Sequence, residues 1–415
     1  MDSRRSFACK DSLATNHPTR VAFLTGCLRP QHARVRSSRG DWMENSERLE
    51  VLTTPSRRDG VRLQLEQTIQ QMGKKMDLRM RQVPHVESAI EALKNGNCDL
   101  IALSALDWRE FDTSGLFIAG VLPRREPTWV LVSDDKPEYL IGEPVIVCNH
   151  QLLRRQFLRV RFDSVILTSE EFAESIDKLE EYSALTEDEQ VPWLEELRQE
   201  KKLDGYIVTR GEHQALPFKA RRHTLGLQRE NPERSRFVPP PLNGFTLMVA
   251  RKDFPAHQIE AWCDSGAFIA HRMESAIWDS LPENISEIVG VFVEQRKVST
   301  ILREAKRTKN EQITDSILDN NKKVKNTVPR LEMKIEILDP LGMVSAAAER
   351  VCPVADSHMG MVTLLKEFNF LLEAMSSEKE ELAKHYHGLP KDFSEAKPAM
   401  LDLGIDYSDS SEDEA

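Results

Sequence analysis

The sequence predicts an α/β protein built as two α/β units followed by a small α+β unit. Three observations carry this. Short apolar runs alternate with helix-period segments from about residue 48, the alternation stops at a crossover and restarts near residue 144, and after "FVPPPLNG" its texture changes. A chain of 415 residues has room for two or three cores.

In the first unit "LEVLTT" reads as a strand, "GVRLQLEQTIQQMGKK" as a helix with apolar residues at helical spacing, and "DLRMRQVP" as a strand. "HVESAIEALKNG" follows as a helix and "DLIALSAL" as an apolar strand. The segment "PTWVLVSDDKPEYLIGE" is a crossover punctuated by Pro and Asp. In the second unit "PVIVCN", "FDSVILT" and "LDGYIVT" are strands, and "HQLLRRQFLRVR" and "SEEFAESIDKLEEYS" are helices. "LTEDEQVPWLEELRQEKK" reads as an inserted acidic helix, with Thr186 and Glu189 at capping-box spacing and Pro192 near a second start. Its charge is most simply a solvated face. After the Pro-rich boundary come the strand "FTLMVARKD", a long amphipathic helix "PAHQIEAWCDSGAFIAHRMESAIWDSL", the strands "EIVGVFVEQ" and "LEMKIEIL", and a closing helix "SHMGMVTLLKEFNFLLEAM". The expected domains are 48–138 with 239–254, then 139–238 with the insertion at 183–202, then 255–377. An extension at 1–47 and an acidic tail at 378–415 flank them. Residues 1–42 read as a leader, a disordered arm or the product of an early start codon, since "MENSERLEVLTT" from Met43 also begins naturally before a strand.

Composition narrows function. Hydrophobic residues make up 40% and charged ones 30%, and no apolar run approaches a membrane span. The net charge of -11 argues against a general nucleic-acid binder. Residues 1–42 carry eight Lys or Arg against three acids, whereas "DYSDSSEDEA" carries five acids and no base. These ends cancel, so an anionic ligand needs a local basic cleft rather than the overall field. The six cysteines show neither CxxC nor zinc-type spacing and read as reduced thiols. His385 and His387 lack a third ligand nearby, which favours a surface loop over a metal site.

Asp107 stands where the apolar strand "DLIALSAL" opens into a loop. Two readings compete: a cap for the next turn, and a site carboxylate at the carboxyl end of a buried strand, where open α/β sheets put their ligands.

Several ordered matches resemble the porphobilinogen deaminases, or hydroxymethylbilane synthases, over roughly residues 48–375. Leu63, Leu65 and Gln67 match a Leu-x-Leu-x-Gln helix start. Gly96, Asp99, Ala102, Ser104 and Asp107 match Gly-x-x-Asp-Ile-Ala-x-His-Ser-x-Lys-Asp, and Leu122, Arg124 and Pro127 match the next segment. "LLRRQ" matches Leu-Arg-Arg-Gln, and "PPPLNGFTLMVARKD" stands where the family has Pro-Ala-x-Gly-Gln-Gly-Ala-Leu-x-x-Glu. The resemblance implies two periplasmic-binding-protein-like α/β domains with a cleft between them, plus a small C-terminal α+β domain. It implies condensation of four porphobilinogen with loss of ammonia, in porphyrin (heme) biosynthesis, with Asp107 as the catalytic carboxylate that stabilises an azafulvene cation. It further implies a substrate pocket of Ser104, Arg154, Arg155, Arg58, Arg124 and His150.

The departures point to a transferase activity lost or much reduced, that is, a pseudoenzyme. Leu103 and Leu106 stand for the family's His and Lys, Val61 for its Ser, Ser169 and Ser175 for two carboxylate-holding Arg, and Thr128 and Trp129 for an Arg and Asp. Ile285 stands for the Cys that tethers the family's dipyrromethane cofactor, and an aliphatic side chain makes no thioether. The cofactor is therefore expected to be absent. Cys352 is the weak candidate for a replacement tether, against the commoner reading of a small buried apolar residue. The alternative function is a non-catalytic relative that binds a small anionic pyrrole or carboxylate in the interdomain cleft. A weaker third is an interaction protein using the acidic helix and tail. The expected partners are thus a small anionic molecule, no nucleic acid and no membrane, in a cytoplasmic monomer, or an organellar one if residues 1–42 are a transit peptide.

Overall fold

The computed structural model describes residues 49–55, 60–72, 78–227, 229, 236–376 and 400–404, all within one compact unit, Ser46–Ala415. Expectations for the N-terminal extension, for Arg58 and for most of the acidic tail lie outside the described residues.

The first lobe contains β1 (Leu49–Thr53), α1 (Val61–Met72), β2 (Leu78–Gln82), α2 (Val86–Lys94), β3 (Leu100–Ser104), α3 (Ala105–Glu110) and β4 (Leu116–Val121). The chain then crosses to the second lobe with β5 (Trp129–Ser133), β6 (Val145–Val147), α4 (Gln151–Val160), β7 (Val165–Leu167), α5 (Ser169–Ser175) and α6 (Leu179–Ser183). That lobe continues through α7 (Glu187–Gln199), β8 (Gly205–Thr209), α8 (Arg210–Ala215) and β9 (Arg222–Leu225). It returns to the first lobe as β10 (Thr246–Arg251). The sheet orders are β2-β1-β3-β10-β4 and β7-β6-β8-β5-β9. In each, the antiparallel strand is the one that has just crossed from the other lobe. The lobes are therefore topological copies joined by two crossovers, and the first crossover falls before β5, earlier than the boundary expected at 138.

Strand alternation explains the packing. Ile101 and Leu103 of β3 face the core that α2 covers, while Leu100 and Ala102 face the core that α1 covers. A strand covered on both faces reads as an unbroken apolar run, as this one does. In the second lobe α7 buries Trp193, Leu194 and Leu197, so the expected acidic insertion is a core helix with only its outer face charged. The expected long helix at 169–183 breaks at Asp177, which has φ 57°, into α5 and α6.

The third unit has α9 (Ser265–Asp279), β11 (Val289–Arg296), α10 (Val298–Arg307), α11 (Glu311–Ile317), β12 (Arg330–Leu338), β13 (Ser345–Pro353) and α12 (Ser357–Ser376). Its antiparallel sheet runs β11-β12-β13. Residues 256–263 precede α9 as a 3-10 turn and a loop rather than as part of one long helix, and Ile259 and Trp262 pack into the first lobe. Ile277, Val291, Met333 and Phe368 share one continuous core with Leu103, Phe245 and Leu247 of the first lobe, and Leu401 and Leu403 complete it.

Two buried carboxylates fasten this unit to the lobes. Glu274 accepts from Arg124 Nη1 at 2.7 Å and from the backbone N–H of Leu242 and Val293. Glu336 accepts from Arg159 of α4 at 2.8 Å.

Candidate functional site

The carboxyl ends of β3, β6, β7 and β8 converge between the lobes, where backbone emerging from a strand and entering a helix leaves a crevice. A cavity of about 630 Å³ occupies it. Ser104 and Leu106 line it from the first lobe, and Asn149, His150, Ser169 and Thr209 from the second. Trp129 in the first crossing strand, Pro240 to Gly244 in the return crossing and Trp278 of α9 close the remaining walls. A larger hollow of about 1400 Å³ lies between the first crossover, β9 and the start of α9. There Arg229 and Arg296 are tied to Glu294 and Glu332, and it lacks the strand ends that define the cleft.

The polarity of the cleft follows from its helix starts. Ser104 caps α3: its Oγ accepts from the Asp107 N–H at 3.1 Å, and the Asp107 carboxylate accepts from the Ser104 N–H at 3.3 Å. Thr168 with Glu171 and Thr209 with Glu212 repeat this box at α5 and α8. Each of these termini thus carries its own carboxylate at the end where a ligand anion would otherwise be favoured. The start of α4 differs. His150 stands at its N-cap without a side-chain cap bond, packs edge-on to Trp129 with ring centroids 5.3 Å apart, and has a buried, unpartnered Nδ1. Burial pushes its imidazole down to about 4, so it is neutral at pH 7.

The structure disperses most of the residues expected in a substrate pocket. The strand containing Asp107 stops at Ser104, and Asp107 sits in the first turn of α3 as the cap described above, with Leu106 rather than Asp107 on the cavity wall. Arg155 is 8% exposed and donates to the carbonyls of Leu338 and Leu403, which anchors the third unit and the segment 400–404. Arg154 donates to the Ile166 carbonyl and pairs with Glu171 at 3.4 Å. Arg124 is bound to Glu274 and stacks on Phe245, 3.9 Å from the ring centroid. Among the described residues of the expected set, Ser104 and His150 are the ones that face the cleft. Ile285 is buried in the shared core, and Cys352 is buried against Gly360, where a Cβ would come within 2.6 Å of its sulfur. Cys148, near the cleft, is buried with its thiol pushed up to about 12. Among the described residues no cluster of His, Cys, Asp or Glu is arranged to hold a metal.

Trp129, Asn149, Thr209 and Trp278 were not singled out as site residues from the sequence. The usable signal was positional for three of them, since they stand at a crossover or just after an apolar strand. Trp278 comes from a helix of another unit and has no local signal.

Fold and site together define a two-lobed, periplasmic-binding-protein-like α/β protein with an interlobe cleft and an attached α+β unit. No family model matches the chain, and no curated protein matches it by sequence. Solved structures similar to it include YhfZ from Shigella flexneri, at 15% identity over 57% of this chain and 99% of that one, with a TM-score of 0.27. The sulfate-bound regulatory domain of a mutant OxyR2 from Vibrio vulnificus is 15% identical over 52% of this chain and 94% of that one, with a TM-score of 0.29. A nutrient binding protein from Burkholderia cenocepacia bound to methionine is 12% identical over 52% and 96%, with a TM-score of 0.28. The expected kinship with the porphobilinogen deaminases, and with it the assignment to porphyrin biosynthesis, is corrected: no model of that family and no curated member of it matches the chain. Of the arginines expected to hold a pyrrole polyanion, the three described ones, Arg124, Arg154 and Arg155, are consumed in packing. Among the described residues no helix is long and apolar enough to cross a membrane.

Proposed function

We propose that this is a binding protein that holds a small molecule in the cleft between its lobes without transforming it. The observation that carries the reading is the cavity at the strand ends, walled by both lobes, both crossovers and the third unit. Its size suits a metabolite-sized ligand. Asp107, the carboxylate expected to do the chemistry, is committed to capping α3. The ties through Glu274 and Glu336 hold each lobe to the third unit, which favours a pre-formed site over one assembled by wide hinge closure.

The test uses the indole N–H signals of the full chain labelled with ¹⁵N-tryptophan, assigned by single Trp→Phe variants, during titration with a panel of small metabolites. A cleft ligand shifts Trp129 and Trp278, and leaves Trp193 and Trp262, which lie in the lobe cores, in place. Shifts confined to the core tryptophans, or none from any compound, would sink the reading.

A further inference from the structure

We infer that the hairpin of α10 and α11, with the turn that follows it, is a second interaction surface, one that binds the phosphate backbone of a nucleic-acid duplex without reading its sequence. Residues 297–330 hold nine Lys or Arg against four acids, an excess of +5 in a chain whose net charge is -11. Eight of the nine are exposed. Lys297, Arg303, Lys306, Lys309, Lys322 and Lys323 form no ion pair with any described residue. The four acids do not cancel them. Glu304 is paired with Arg296, outside the segment, and Asp319 Oδ1 accepts from the N–H groups of Asn321 and Lys323, both at 2.8 Å. Glu311 and Asp315 stand one turn apart on α11, so the basic surface consists of the outer side of α10 and the turn at 320–328. The net charge argues against a general nucleic-acid binder, but charges beyond about 10 Å are screened, and a local contact is decided within that distance.

The packing places these cations at both ends of one helix. α10 and α11 enclose a small core of Val298, Ile301 and Ile317, backed by Val351 of β13. The Lys325 N–H donates to the Ile317 carbonyl at 2.9 Å, and Leu318 bridges to Val324, which fixes the turn at the end of α11. Ile317 shares its core with Val298, so Lys322 and Lys323 lie toward the start of α10 and Lys306 and Lys309 at its other end. A helix of 10 residues is about 15 Å long, and a duplex presents about nine phosphates over that length. Helix stability accounts for Lys306 and Arg307, which complement the carboxyl end of α10. It does not account for Lys297 at the N-cap with no acid in the first turn, nor for Arg303 one turn before two like charges.

The kind of polyanion follows from what surrounds the charges. Residues 297–330 contain no Phe, Trp or Tyr, hence no platform for stacking unpaired bases and no aromatic anchor for a membrane interface. The apolar side chains of the helices are buried in the hairpin core, and the half-exposed Val324 and Val328 make no groove for the anchors of an acidic peptide. Asn320, Asn321, Asn326 and Thr327 are exposed beside the lysines and supply the neutral donors that commonly hold phosphate oxygens.

The test is fluorescence anisotropy of a labelled mixed-sequence DNA duplex of about 24 base pairs, titrated with the full chain. The unmodified protein is expected to bind it, and to lose about 100-fold in affinity between about 50 and about 200 mM salt. Lys306→Gln, Lys309→Gln, Lys322→Gln and Lys323→Gln are combined in one variant. Its control combines Lys136→Gln, Lys219→Gln, Lys252→Gln and Lys366→Gln, which are exposed positions elsewhere and change the net charge equally. The hairpin variant should bind at least about tenfold more weakly than the control, with a shallower salt dependence. Equal binding by the two variants would overturn the inference, since net charge or the basic residues 1–42, present in both, would then carry the affinity. So would tighter binding of the unmodified protein to a poly-Glu peptide or to vesicles containing about 30% phosphatidylserine than to the duplex, because the partner would then be a different polyanion. No binding to the duplex at about 50 mM salt would leave the hairpin as a solvated surface and the inference refuted.

Discussion

Removing the Glu274 carboxylate distinguishes a structural Arg124 from a ligand-binding one. Glu274 is 0% exposed and accepts two hydrogen bonds from Arg124, at 2.7 and 3.1 Å, one from the Leu242 N–H at 2.8 Å and one from the Val293 N–H at 2.7 Å. Glu274→Ala leaves a nearly buried guanidinium without its counter-ion and two backbone donors without an acceptor. Breaking a buried pair from one side costs about 3–5 kcal/mol, and the stranded donors place this case toward the upper end. Arg124→Met alone is expected to cost a similar amount. The double variant Arg124→Met, Glu274→Leu should cost less than the sum by about 2 kcal/mol or more, because no lone charge remains buried. Equilibrium urea unfolding followed by tryptophan fluorescence measures all three. A loss below about 1 kcal/mol in Glu274→Ala would refute the reasoning. So would an Arg124→Met protein of near-normal stability that no longer gives ligand-induced shifts at Trp129.

Asp107→Ala should lower stability by about 1 kcal/mol, the usual cost of a lost cap, and leave ligand-induced shifts of Trp129 and Trp278 intact; loss of those shifts at unchanged stability would restore Asp107 to the site. Stability should fall on acidification. The His271 imidazole is buried and is pushed from 6.5 down to about 4 by burial, with Arg124 and Arg109 adding to the effect. The unfolded chain takes up this proton first, so the contribution is full above pH 6.5 and is lost as pH falls toward 4. At about pH 5 the loss is about 2 kcal/mol, and His271→Phe should flatten this part of the profile in urea titrations at each pH. Arg155→Met should cost about 2–3 kcal/mol by leaving the buried Leu338 and Leu403 carbonyls without a donor, and should speed protease cleavage near residue 400; unchanged cleavage would mean the segment is held by Leu401 and Leu403 alone.

Much of the lobe architecture was legible because its determinants are local. β1, β3, β6 and β8 are short runs of Val, Ile, Leu and Tyr bounded by turn residues, and α1, α2 and α4 have apolar residues at helical spacing. The capping box at Thr186 was readable for the same reason: its Glu189 carboxylate accepts from the Thr186 N–H three residues away. Some of the elements that went unread are weakly patterned. This holds for β9 and β13, which contain Arg, His, Ala and Glu and are strands because neighbouring strands supply their hydrogen bonds, whereas β4 and β5 are apolar runs, β5 lying within the segment that reads as a crossover. α10 and α11 also went unread.

The composition of the cleft was the least legible part. Arg124, Arg154 and Arg155 have the residue type of an anion site, yet their partners lie far along the chain: Glu274, Ile166 and Leu338. Ser104 and His150, which the resemblance implied, do face the cleft because they stand just at or after the carboxyl ends of β3 and β6. By itself the sequence determined the alternation of strands and helices, the two-fold repetition of the α/β pattern and the distinct third unit, since these depend on spacing and turn chemistry within a few residues. Only the tertiary structure decided which arginines are consumed in packing, that Asp107 closes a helix rather than facing a ligand, and that Trp129 and Trp278 share one cavity. Those outcomes depend on which distant carboxylate, carbonyl or ring comes within a few ångströms after folding, and no local pattern encodes that distance.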